Sequence, residues 1–168
     1  MASGLGQSAF MSESIAILGA SRGLGAALAQ VAAHAGTRVT GFSRKAGPEI
    51  EGVRYISADF AQDVGQLQVL DWLSAHRPTR VFYVAGGGPY GPFGSKAWKD
   101  HLWAWQVSFL FPARLAHAML SGGEARQLIV VGSSVAESLP DPKAASYCAA
   151  KHALKGLYET LSLENPPM

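Results

Sequence analysis

SIAILGASRGLGAALAQVAAHAG, residues 14–36, decides the fold. Ser14 to Leu18 is a short apolar run that meets GASRGLG and continues into an alanine-rich segment with helical spacing, which ends at Gly36. The succession predicts a strand, a glycine turn and a helix. Gly19, Gly23 and Gly25 form G-x-x-x-G-x-G at the junction. A turn this tight needs residues without a Cβ, both to accept positive φ and to let a pyrophosphate approach the backbone at the helix N-terminus. Such a turn also serves purely structural ends elsewhere, so the reading rests on its context, and here the motif lies between a strand and a helix as nucleotide binding requires.

The remaining pattern repeats the alternation. Strands are predicted at residues 38–42 (RVTGF), 53–57 (VRYIS), 80–85 (RVFYVA) and 127–131 (QLIVV), the last read as fully buried. Helices are predicted over 64–75, 96–120 and 147–163. Strands alternating with helices argue for a parallel sheet with right-handed crossovers. In the third helix Trp98, Leu102, Trp105 and Phe109 share one face, expected to be buried against the sheet or a partner helix, with a substrate-binding aromatic box as the other reading.

A length of 168 residues, 48% hydrophobic and 15% charged, fits one globular domain with a sizeable core. The formal charge of +2 is small and scattered, which argues against nucleic acid or a membrane surface and for a small-molecule partner. The single cysteine, Cys148, excludes an internal disulfide and reads as a packing residue. With no apolar run near the roughly 20 residues that span a bilayer and no secretory signal, a cytoplasmic location is expected. The five histidines show no metal-ligand spacing, so no metal is expected. Residues 1–11 read as a flexible leader or appended segment, with a native start near Met11, ahead of a single nucleotide-binding domain over 12–168.

The second strand of a dinucleotide-binding fold usually ends in an acidic residue that binds the adenosine ribose. Ser43, Arg44 and Lys45 stand there instead. A carboxylate repels a 2′-phosphate, whereas a hydroxyl and a guanidinium bind it through charge-assisted hydrogen bonds, and Arg22 adds a second cation. NADP(H) is therefore the expected cofactor, the other reading being that both arginines are merely solvated. Asp59 is placed to approach the adenine edge or, alternatively, to cap a turn.

Tyr147 and Lys151 stand four residues apart, hence on one helix face, and Ser134 lies thirteen residues before the tyrosine. A neighbouring ammonium favours tyrosinate, so the phenol can exchange a proton with a carbonyl or alcohol. Ser134, at the end of the fifth strand, comes from the sheet rim where ligands bind in open α/β folds, and its hydroxyl can orient the substrate oxygen.

This set resembles the short-chain dehydrogenase/reductase superfamily over about Ile15 to Leu163: GASRGLG as the glycine motif, Asp59 after the third strand, VAGGG after the fourth, and Ser134, Tyr147 and Lys151 as the catalytic set. The resemblance implies a Rossmann-type doubly wound parallel sheet, with five strands present in the order 3-2-1-4-5. It implies hydride transfer between NADP(H) and a carbonyl or alcohol, Tyr147 as general acid/base, and Lys151 also holding the nicotinamide ribose. It places the cofactor on Gly19, Ser21, Arg22, Gly23, Leu24, Gly25, Ser43, Arg44, Asp59, Ala85, Gly86, Gly87, Tyr147 and Lys151, and suggests homodimers or tetramers built through the helices carrying Trp105 and Tyr147.

The sequence departs from that family in three places. Only the Ala-Gly half of the strand-four motif survives, at Ala85-Gly86, and the asparagine that supports a proton-relay water aligns with Ser108. The family's sixth strand, nicotinamide-binding turn, substrate loop and seventh strand have no counterpart, so the chain is expected to be a C-terminally incomplete form of a longer reductase. The competing reading is a module that holds NADP(H) without turnover.

Overall fold

The computed structural model describes residues 13–122 and 127–164. The expectation for residues 1–11 lies outside the described residues. Five strands, β1 (Ser14–Leu18), β2 (Arg38–Ser43), β3 (Val53–Ser57), β4 (Arg80–Tyr83) and β5 (Gln127–Val130), pair in parallel in the order β3-β2-β1-β4-β5. The helices between them are α1 (Gly23–His34), α2 (Asp63–His76), α3 (Trp98–Trp105) and α4 (Phe111–Ser121), and α5 (Ala145–Leu163) follows β5.

Successive side chains of a strand point to opposite faces, and a central parallel strand must therefore be apolar on both. In β1, Ala16 and Leu18 join a cluster with Phe42, Phe60, Val69, Val81, Tyr83, Phe111 and Leu115, while Ile15 and Ile17 join Val39 and Ala29 on the α1 side. At the edge the expectation for β5 fails. Only Leu128 is buried; Gln127 is exposed, and Ile129 and Val130 are partly so. An apolar run cannot distinguish a central strand from an edge strand, because the run reports side chains and the edge is a property of neighbours.

The long helix expected over 96–120 is broken by a π-helical turn, Gln106–Leu110, between α3 and α4. Pro112 supplies the reason. It has no N–H for the carbonyl of Ser108 four residues back, and Phe111 N–H bonds instead to the Gln106 carbonyl, five residues back. The hydroxyl of Tyr83, wholly buried, donates to the Val107 carbonyl at 2.6 Å inside this turn. Burial holds the Tyr83 phenol well above its ordinary pKa, so it remains a donor.

The aromatic stripe does not face the sheet. Trp98 is 66% exposed and Leu102 49%, whereas His101, Ala104, Val107 and Ser108 take the inward positions. Trp105 and Phe109 pack edge-on against each other on the outer side. Bulk misleads here: the small residue Ala104 lets the helix approach the core closely, and Trp98 is left outside.

Candidate active site

The strands' carboxyl ends build the site. At the end of β1, Gly19 has φ 103° and donates its N–H to the Phe42 carbonyl of β2 at 2.7 Å. A Cβ on Gly19 would lie 2.7 Å from Ala85 N and 2.9 Å from its Cα. Val84 and Ala85, expected within β4, lie past its end, and both donate N–H to the Leu18 carbonyl, at 2.8 and 3.0 Å. The glycine turn is thus wedged between the ends of β2 and β4. A Cβ on Gly25 would meet the Gly19 carbonyl at 2.1 Å, so the first turn of α1 closes onto the same spot. Gly23, at φ 55°, faces open space. Helix α1 has no side-chain cap and no acidic residue in its first turn. Its leading N–H groups and the positive end of its dipole therefore remain available to an anion. Arg22, at the N-cap, and Leu24 are exposed beside them, and Ser21 is partly buried.

Beyond β2, Ser43 is buried and its hydroxyl donates to the Lys45 carbonyl. The expectation that this hydroxyl meets a 2′-phosphate as a donor is corrected accordingly, since a serine has one proton and here the backbone takes it. Arg44 is exposed, and its guanidinium carbon lies 5.3 Å from the centroid of the Trp103 ring. Asp59, read either as an adenine contact or as a turn cap, accepts the Ala61 N–H at 3.0 Å, which is the capping role.

Past β4 the loop is pinned from several sides. Gly87 N–H donates to Ser108 Oγ at 3.1 Å, and the Ser108 hydroxyl donates to the Gly87 carbonyl at 3.0 Å. Ser108 is wholly buried, and with both bonds made to Gly87 it clamps the loop. A Cβ on Gly86 would stand 3.4 Å from Lys151 Cε, 3.6 Å from its Nζ and 3.6 Å from Tyr147 Cε2. Tyr147 and Lys151 therefore lie side by side against the backbone at Gly86, as the four-residue spacing requires.

Lys151 is 3% exposed and its amine donates to the Val131 carbonyl at 2.7 Å, beyond the end of β5, with Nζ 5.9 Å from the centroid of Tyr147. Burial lowers its pKa from 10.5 to about 8. Ser134 opens a short 3₁₀ turn, Ser134–Ala136, and is exposed at the same rim. One residue before the tyrosine, Ser146 Oγ lies 2.7 Å from His101 Nδ1, and His101 Nε2 lies 3.1 Å from the Phe93 carbonyl. A carbonyl only accepts, so Nε2 carries the proton and Ser146 donates to Nδ1. Sequence spacing gave no sign of this pair, nor of Trp103, because both depend on contacts between distant elements.

The donor set fits a dinucleotide: uncapped amides at α1 for a pyrophosphate, a cation beyond β2, and Tyr147 and Lys151 beside the side-chain-free backbone of Gly86. The crevice lies between β1 and β4, where the strand order reverses and ligands bind in folds of this class.

A family model described as short chain dehydrogenase matches residues 13–168. Among solved structures, a short chain dehydrogenase family protein from Francisella tularensis subsp. tularensis superposes with a TM-score of 0.80 at 16% identity, over 91% of this chain and 64% of that one. A 4-hydroxyisoleucine dehydrogenase complexed with NADH gives 0.80 at 18%, over 91% and 68%. A short-chain dehydrogenase from Sphingobium yanoikuyae in complex with NADPH gives 0.77 at 21%, over 90% and 65%. The chain thus spans about two thirds of the length of these proteins, 64% for the first. No curated protein matches it. At these identities the likeness carries the fold.

Proposed function

The chain belongs to the short chain dehydrogenase family, and on that premise we infer that it is an NADP(H)-dependent oxidoreductase of carbonyl or alcohol substrates. The observation that carries this reading is the meeting of Tyr147 and the buried amine of Lys151 at the side-chain-free backbone of Gly86.

The nicotinamide, when bound, supplies or accepts the hydride. The protein's own residues handle the proton and the geometry. Tyr147 donates its phenolic proton to the substrate oxygen in reduction and takes it back in oxidation. The Lys151 ammonium stabilises the phenolate left behind, and the Val131 carbonyl fixes that amine in place. Ser134, exposed at the rim, is in reach of solvent and of a substrate oxygen. Arg44 is the group that favours a 2′-phosphate, because no carboxylate follows β2 and Ser43 has its proton engaged.

The small-molecule substrate stands on the same reading, as does a homo-oligomer joined through the exposed face of α3 and through α5. Trp98 and Leu102 provide that face with apolar area that a second copy would cover. No helix among the described residues is long and apolar enough to cross a membrane, which accords with a proposed cytoplasmic location. The test is a fluorescence titration with NADPH and NADH, followed by a panel of aldehydes and ketones. Saturable NADPH binding with consumption of NADPH by some carbonyl supports the reading. Binding without turnover supports instead a nucleotide-holding module, and absence of binding removes both.

A further inference from the structure

Arg44 and Trp103 meet across the crevice. Arg44 stands just beyond β2, and Trp103 projects from α3 onto the loop beyond β4, where a Cβ on Gly87 would be 3.2 and 3.3 Å from its six-membered ring. Since the sheet order is β2-β1-β4, a contact between these two groups passes over the end of β1 and its glycine turn. Tyr147 and Lys151 lie against Gly86, while Trp103 reaches from the neighbouring Gly87 toward Arg44 beyond β2.

The two partners differ in freedom. Trp103 is partly buried and seated on Gly87, which Ser108 holds at both its N–H and its carbonyl. Arg44 is exposed, on a loop past the end of its strand. The guanidinium lies 5.3 Å from the indole centroid, a direct cation–π contact. A planar ring inserted between them needs two stacking contacts of about 3.5 Å each, a total of about 7 Å. The pair must open by a small movement, and Arg44 is the side that can move. The indole Nε1–H of Trp103 is buried with no acceptor among the described residues, so it is the face of the ring beneath Arg44, not its N–H, that is offered to a ligand.

We propose that Trp103 is a nucleotide-specificity residue: the purine base of the cofactor is stacked on its indole, with the guanidinium of Arg44 swinging to cover the base's other face. The inference rests on the dinucleotide reading of the crevice and adds to it the residue that binds the base. The chemistry selected is a flat, electron-rich heterocycle carrying phosphate on its ribose, since Arg44 supplies a planar cation and Trp103 a planar π-face.

The experiment uses adenosine 2′,5′-bisphosphate, which has no nicotinamide and does not fluoresce, with the full chain and its Trp103→Ala and Trp103→Phe variants. Calorimetry reads affinity and tryptophan emission reads stacking, the unfolding temperature of each variant being recorded alongside. The parent is expected to bind with quenching; Trp103→Ala is expected to bind about tenfold or more weakly, and Trp103→Phe, which keeps a ring on Gly87, only a few-fold more weakly. The quenching is expected to vanish in Trp103→Phe, which identifies Trp103 among the four tryptophans as its source. Binding by Trp103→Ala equal to the parent, or full quenching in Trp103→Phe, overturns the assignment while leaving the dinucleotide site standing. A parent that binds neither this ligand nor NADPH overturns the site and the assignment together.

Discussion

Ser108 holds Gly87 by both of its backbone groups, accepting from the N–H at 3.1 Å and donating to the carbonyl at 3.0 Å. Two hydrogen bonds from one hydroxyl fix the loop that floors the site, and the hydroxyl is aimed there by the π-helical turn that Pro112 imposes. Ser108→Ala leaves both Gly87 groups without their partner. The expected cost is about 1–3 kcal/mol, seen as a fall of several degrees in unfolding temperature. NADPH affinity should fall with it, because Gly87 and Trp103 lose their seat. An unfolding temperature unchanged from the parent would mean the loop is held by other contacts.

Tyr147→Phe removes the hydroxyl and keeps the ring that packs beside Gly86. Carbonyl reduction is expected to drop by at least about 100-fold, the usual contribution of a positioned acid, while NADPH affinity changes little. Steady-state rates and a binding titration on the same preparation separate the two effects. Near-parental turnover would assign the proton to another group.

The glycine turn and the Tyr147–Lys151 pair were legible in the sequence because each obeys a local rule. A turn pressed against two strands excludes Cβ atoms, and a spacing of four residues puts two side chains on one helix face. The parallel sheet followed from alternating elements, and its strand order from the family resemblance. What stayed hidden depends on partners distant in the chain. Arg44 does not announce Trp103, nor His101 Ser146, and the inward positions of α3 and the π-helical turn go to Ala104 and Ser108 because the chain comes too close to Gly87 and Gly88 for larger side chains. A Cβ on Gly88, for example, would already be 3.2 Å from the Ala104 Cβ. Ser43 was legible as a polar residue at the right place, but the direction of its single proton was not.

Arg44→Asp exchanges a phosphate partner for an acceptor of ribose hydroxyls and repels a 2′-phosphate. The parent is expected to bind NADPH more tightly than NADH, and the variant to reverse that order. The cation–π contact with Trp103 disappears as well, so both cofactors should bind somewhat more weakly than the preferred cofactor does to the parent. Parallel titrations at one moderate ionic strength decide it, since phosphate contacts are screened by salt. Equal affinity of the parent for the two cofactors would remove Arg44 from the specificity argument.

Lys151 ties stability to pH in a direction that can be worked out. Its pKa is about 8 in the folded protein against 10.5 for the ordinary side chain, with burial as the cause. Below about pH 8 both folded and unfolded chains carry the proton, and the folded state bears the penalty of a buried ammonium. Between about pH 8 and 10.5 the unfolded chain still holds a proton that the folded chain has released, so the unfolded state binds more protons and stability rises with pH. Lys151→Met has no such titration and serves as the reference, which cancels the contributions of other groups. The parent should therefore gain stability relative to Lys151→Met by on the order of 2–3 kcal/mol across that window, measured by urea unfolding of the cofactor-free proteins. Catalysis should move the opposite way, with the parent's turnover falling as pH rises through about 8, because the ammonium that steadies the Tyr147 phenolate is lost. A stability difference that stays flat from pH 7 to 10 would show that the amine is not desolvated in the folded chain.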